Sequence, residues 1–246
     1  MRRAYGVLSW GLILLGTVPM AATFRWFETF NASALWFFSG GRPMRILLVC
    51  ATEAELAPAR PHLPRSVEVL VTGTGMVPMA ARCARALAHQ TYDLALNIGV
   101  CGSFDPALAL GTVVHVVSDC IAVLGAEDGE SFLTMSQIGL AAESVFVNAA
   151  PPANPALRDL PRVNAITVNT AHGHGPSIAA VVARLHPQVE SMEGAAFMCA
   201  CLDVGVAFAQ IRAVSNVIER RNRGVWRLAE AIETLARATE SILVHV

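Results

Sequence analysis

Met44-Arg45-Ile46-Leu47-Leu48-Val49-Cys50 is followed at once by Ala51-Thr52-Glu53-Ala54-Glu55. The run Ile46–Cys50 has no polar face to offer water. A strand of this kind is buried on both sides, as in a parallel sheet covered by helices. Glu53–Arg60 then starts a helix, and the alternation continues downstream. Val67–Thr72 is a second strand, ending in Gly73-Thr74-Gly75, and Val77–His89 carries Ala80, Ala81, Ala84, Leu87 and Ala88 at helical spacing. Leu94–Ile98, Thr112–Val117, Ala165–Val168 and Ala207–Val214 read as strands; Ser177–Leu185, Gly194–Val204 and Arg227–Val244 read as helices. Strands alternating with helices predict an α/β fold, a three-layer sandwich. The stretch from Glu127 to Pro161, with the proline-rich Ala150–Pro155 inside it, is the expected surface excursion.

Composition narrows the function classes. The chain has 246 residues, 54% of them hydrophobic, enough for one domain with a sizeable core. Only 15% are charged and the net charge is -1, which argues against a nucleic-acid partner. Cys50, Cys83, Cys101, Cys120, Cys199 and Cys201 are scattered without a CxxC pair. They read as reduced, mostly buried thiols of a cytoplasmic protein.

Residues 1–43 are read apart from the domain 44–246. Arg2-Arg3 precede an uncharged stretch from Ala4 to Phe24, with small residues at Ala21-Ala22. Three readings stay open: an extension that arises from a start assigned too far upstream, a secretory signal or membrane anchor, and a docked extension. A membrane partner is expected only if this segment serves as an anchor.

Five stretches carry a family resemblance. They are Cys50-Ala51-Thr52-Glu53-Ala54-Glu55, Gly73-Thr74-Gly75-Met76, Asn97-Ile98-Gly99-Val100-Cys101-Gly102-Ser103-Phe104, Ser191-Met192-Glu193-Gly194-Ala195-Ala196 and Ile211-Arg212-Ala213-Val214-Ser215-Asn216. In this order the chain resembles the nucleosidases related to purine nucleoside phosphorylase. With Phe197, Glu219-Arg220-Arg221-Asn222-Arg223 and Trp226 added, it is most similar to their futalosine hydrolase branch, which serves an alternative menaquinone pathway. The resemblance implies a nucleoside phosphorylase-like fold with a mixed central sheet flanked by helices. It also implies a small-molecule nucleoside substrate and a homo-oligomer; no cofactor or metal is expected.

Hydrolysis of a nucleoside C–N bond passes through an oxocarbenium-like sugar. It needs a base for water, a holder for the ribose, and a purine that leaves neutral. The resemblance puts the base at Glu55, past the first strand, where α/β sheets place ligands; Glu53 is its rival, and a solvated helix start is the plainer alternative. Glu193 can accept both ribose hydroxyls, with Met192 on the sugar face; capping the helix that follows is the alternative. In the loop Val100-Cys101-Gly102, Val100 stands where phosphorylases carry a hydroxyl residue, which favours water over phosphate. The loop over the base is implied at His172-Gly173, with His172 stacking; His172 and His174 as metal ligands lack a third partner. Arg221 or Arg223 is the candidate for the carboxylate tail of the substrate, or else part of a solvated turn. At Asn216 the adenine-specific relatives carry aspartate. An amide there suits a 6-oxopurine such as hypoxanthine, unless it only bonds its own turn. A phosphorylase and a non-catalytic nucleoside-binding protein are the competing readings.

Overall fold

The computed structural model describes residues 44–140 and 144–246. The readings offered for 1–43 lie outside the described residues. Among the described residues ten strands are formed: β1 (Ile46–Cys50), β2 (Val67–Val71), β3 (Leu94–Ser103), β4 (Val113–Ile121), β5 (Gly125–Asp128), β6 (Ser131–Thr134), β7 (Val145–Val147), β8 (Arg162–Thr167), β9 (Val189–Ser191) and β10 (Phe208–Val217). The α-helices are α1 (Glu53–Leu56), α2 (Met76–His89), α3 (Pro155–Arg158), α4 (Gly175–Leu185), α5 (Gly194–Val204) and α6 (Leu228–Val244).

The sheet follows the order β2-β1-β3-β10-β4-β8-β9, with β7 added on β4 and β5-β6 forming a separate hairpin. It is mixed. β1, β2, β3 and β10 run parallel, while β4 is antiparallel to β10 and parallel to β8. The end of the path curls back, and β9 pairs antiparallel with β3 through Gly102↔Glu190 and Ser103↔Val189. β3 thus meets β1 with its first half and β9 with its last two residues on one edge, and β10 along the other.

The three layers follow from the two-residue period of a strand. Ile46, Leu48 and Cys50 pack with Leu56, Ala231, Leu235, Ile242 and Leu243, against α1 and α6. Leu47 and Val49 point the other way, into Met79, Cys83 and the α5 residues Ala195–Met198, Ala200 and Cys201. This is why the apolar run on β1 is continuous: each face has its own helices. α6 carries Ala231, Leu235, Thr239 and Ile242 on its buried side.

Some expectations change. The helix expected over Glu53–Arg60 is one turn, α1, followed by a 3-10 turn at Arg60–His62. Pro58 and Pro61 lack the N–H groups that a longer helix needs there. Val100-Cys101-Gly102 is not a loop, because β3 continues through it to Ser103. The glycines serve close approach. A Cβ at Gly99 would lie 3.0 Å from Glu55 Oε1 and nearer still to Arg212 Nη1; one at Gly102 would meet Ile218. The surface excursion contains the hairpin β5-β6, the edge strand β7 and the short α3, whose Asn154 cap is buried and donates to Ile242 O at 2.9 Å.

Candidate active site

A cavity of about 330 Å³ opens at the carboxyl ends of β1, β3 and β10, among Glu55, Val100, Cys101, Gly102, Met192, Glu193 and Asn216. Thr52, Thr74, Ala171, His172, Glu190, Ser215, Arg221 and Trp226 complete much of its wall.

Glu55 is placed by local chemistry. Thr52 caps α1, and its side chain accepts from Glu55 N while Glu55 reaches back to the backbone of Thr52, a reciprocal capping box. Glu55 Oε2 accepts from Thr52 N at 2.9 Å and from Thr52 Oγ1 at 3.0 Å; Oε1 accepts from Val100 N at 3.2 Å. The carboxylate is therefore buried, fixed from two elements, and still on the cavity wall. Glu53 differs: it is exposed, pairs with Arg60 at 2.7 Å, and is not among the lining residues.

Glu193 occupies the N-cap position of α5, yet its side chain does not cap. It turns to accept from Gly75 N at 2.8 Å. Gly75 has φ +101°, a backbone region that a side chain rarely tolerates, so glycine is what allows its N–H to face Glu193. Burial raises the Glu193 pKa; Arg212 and the Gly75 N–H oppose this, and Glu55 adds to it.

Arg212 was not among the candidates, although it is the one charge in the apolar run Ala207–Val214. It is buried, donates to Asn97 Oδ1 and to Gln210 Oε1 (3.2 Å), and its Nε has no partner among the described residues. Gln210 continues to Asp119 Oδ2 at 2.9 Å, and Thr167 Oγ1 donates to Asp119 Oδ1 at 2.8 Å. A buried guanidinium in this position is a fixed positive field for the two site carboxylates.

Glu190 was also missed, because β9 is only three residues long and shows no periodicity. Its Oε1 accepts from His172 N at 2.9 Å, and Oε2 pairs with His172 Nδ1. His172 also lies edge-on to Phe104, ring centroids 6.3 Å apart.

Asn216 reaches the cavity through an irregularity. The β10–β3 register shifts between Val214 and Asn216, a bulge that re-aims the following side chains. Asn216 Oδ1 accepts from Ser215 Oγ at 2.9 Å, and Nδ2 donates to Val217 O at 3.0 Å. These bonds are those of its own turn, but each amide atom keeps capacity for a second partner. Arg221 lines the cavity, with its guanidinium 5.0 Å from the Trp226 ring. Arg223 stands 6.0 Å from that ring and is outside the lining, as is Gly173, which packs beside Arg221.

Residues 61–245 match the family described as the phosphorylase superfamily. Futalosine hydrolase of Thermus thermophilus is 32% identical over 192 residues, which cover 72% of this chain and 80% of that protein. The chain belongs to the futalosine hydrolase family. Futalosine hydrolase of Acidothermus cellulolyticus is 31% identical over 223 residues, covering 78% and 87% of the two chains. The structure of futalosine hydrolase from Helicobacter pylori superposes with TM-score 0.71 at 14% identity, covering 82% of this chain and 98% of the other. A 5′-methylthioadenosine/S-adenosylhomocysteine nucleosidase from Neisseria meningitidis, solved with methylthio-immucillin-A, gives TM-score 0.70 at 16% identity, covering 83% and 100%. These two share the fold.

Proposed function

We propose that this protein hydrolyses the N-glycosidic bond of futalosine, releasing hypoxanthine and dehypoxanthinyl futalosine, as a cytoplasmic step of menaquinone biosynthesis. The observation that carries the reading is the convergence of two buried carboxylates, Glu55 and Glu193, in one cavity beside a buried arginine. The 32% identity to futalosine hydrolase over most of both chains points to the substrate.

In this reading Glu55 takes the proton of the attacking water. Its oxygens are held by Thr52 and Val100, so little reorganisation is needed at the moment of reaction. Glu193 accepts the ribose hydroxyls, with Met192 against the sugar. As the C1′–N9 bond breaks, these carboxylates stabilise the positive charge on the sugar, and the Arg212 charge opposes the burial that raises the Glu193 pKa. Asn216 donates from Nδ2 to the 6-oxo group and accepts at Oδ1 from N7–H. Arg221, at the rim, meets the tail carboxylate. Val100 lacks a hydroxyl for phosphate, so water is the nucleophile. A homo-oligomer fits the apolar side chains Val217 and Leu228, which are exposed at the cavity mouth.

The test is incubation with futalosine and inosine, with and without phosphate. Hypoxanthine released from futalosine at a phosphate-independent rate is expected, and a sugar 1-phosphate product would refute hydrolysis.

A further inference from the structure

The reading above leaves one proton without a source. A purine leaves well only as a neutral species, so a ring nitrogen must be protonated as the C1′–N9 bond breaks. Asn216 can hold that proton by a hydrogen bond, but a carboxamide is no acid at neutral pH. Glu55 must be ionised to act as a base, and Glu193 faces the ribose.

The cavity wall holds one further acid–base pair. The two oxygens of Glu190 take the backbone N–H and the Nδ1 of His172, which fastens both the loop and the ring. Glu190 is almost wholly buried, with 3% of its side chain exposed, against 13% for His172. With Nδ1 engaged, Nε2 is the nitrogen left for a ligand. A carboxylate behind an imidazole stabilises the imidazolium and sets its orientation.

Strand register sets Glu190 in line with Asn216, the residue that meets the base in the reading above. Gly102 of β3 is paired with Glu190 on one side and with Asn216 on the other. The three positions form a row across the sheet. Gly99 and Val100, which meet Glu55, lie two to three residues earlier on β3, about 7–10 Å away at the rise of a strand. That separation suits a nucleoside with its ribose at Glu55 and Glu193 and its purine at the row.

We propose that His172, held by Glu190, is the general acid that protonates the leaving purine; this rests on the nucleosidase reading. The electron pair of the C1′–N9 bond stays on the purine, and the proton of His172 Nε2 passes to a purine ring nitrogen. The water oxygen bonds to C1′, its proton goes to Glu55, and solvent exchange restores both groups. His172 is a catalytic residue here, and Glu190 is a positioning residue.

The test uses the full chain and its His172→Gln and Glu190→Gln variants. Each is assayed on the purine nucleoside that the parent hydrolyses and on a riboside with a nitrophenolate leaving group, which departs without a proton. His172→Gln is expected to lower kcat/KM on the purine nucleoside about 10²–10³-fold while changing the nitrophenyl riboside less than about threefold. Glu190→Gln is expected to show the same pattern with a smaller loss. For His172→Gln, losses within tenfold of each other on the two substrates overturn the proposal, as does no loss on the purine nucleoside.

A second readout needs no alternative substrate. The parent kcat/KM should fall on the alkaline side, and His172→Gln should lack that limb. The charged and titratable groups around His172 are Glu190, His174 of its own loop, Glu219 and Arg221 of the adjacent segment, and Glu130 and Arg184 across a neighbouring hollow. An alkaline limb that persists in His172→Gln assigns it to another group and overturns the proposal. A parent that releases no base from any purine nucleoside sinks the nucleosidase reading itself, a result distinct from an active parent with insensitive variants.

Discussion

Glu55 is held by three donors, two from Thr52 and one from Val100. Glu55→Gln keeps the shape and one acceptor oxygen but removes the proton acceptor, so turnover should fall about 10²–10⁴-fold while binding survives. A variant within a few-fold of the parent would move the base elsewhere, with Glu53 next to be tested. Asn216 reads differently now that its amide is seen to be oriented by Ser215 and Val217. An amide fastened in that way presents one fixed donor and one fixed acceptor. A mismatched polar group in such a site costs about 1–3 kcal/mol, so futalosine should be favoured over its 6-amino analogue by about one to two decades. Asn216→Asp should narrow or reverse that ratio of kcat/KM values, and an unchanged ratio would remove Asn216 from the base site. The family resemblance picked out both residues, because each sits in a short motif, Glu55 just past β1 and Asn216 near the end of β10. Arg212 left one signal, a lone charge in an apolar run, and Glu190 left none.

β4 carries two buried titratable groups whose shifts oppose each other. Burial pushes His115 down from 6.5 to about 4, and the charge of Arg162 adds to this. Burial pushes Asp119 up from 3.8 to about 6, although Gln210, Thr167 and Arg212 pull it back. As pH falls from 6.5 towards 4 the unfolded chain takes up a proton that folded His115 refuses, so stability is lost. Over 6 towards 3.8, folded Asp119 takes up a proton before the unfolded chain does, so stability is gained; read upward, that gain is lost as pH rises through 6. The two partly cancel. In thermal melts across this range, the Tm of His115→Phe relative to the parent should rise as pH falls, and that of Asp119→Asn relative to the parent should fall. Differences independent of pH would show that neither group titrates as described. At this scale the helical and strand periods were readable in sequence. The continuation of β3 through Gly99 and Gly102 was not, because glycine reads as a turn unless the side chains crowding it are known.

The four apolar clusters among the described residues cover both faces of the sheet and fill its curled end. We propose that a protein spanning 44–246 folds cooperatively and keeps the parent's turnover. An insoluble or inactive 44–246 protein would assign residues 1–43 a structural part. No helix among the described residues is long and apolar enough to cross a membrane. The sequence by itself determined the three-layer α/β class, since burial on one or both faces is written in local periodicity. It also determined the positions of Glu55, Glu193 and Asn216 at element ends, since caps and strand ends have local signatures. Only the tertiary structure decided that β9 returns to β3, that Glu190 reaches His172, and that Arg212 lies over Gly99. The physical reason is that strand pairing is non-local. The register that sets Glu190, Gly102 and Asn216 in one row joins three segments distant in the chain, and no window of sequence contains that alignment.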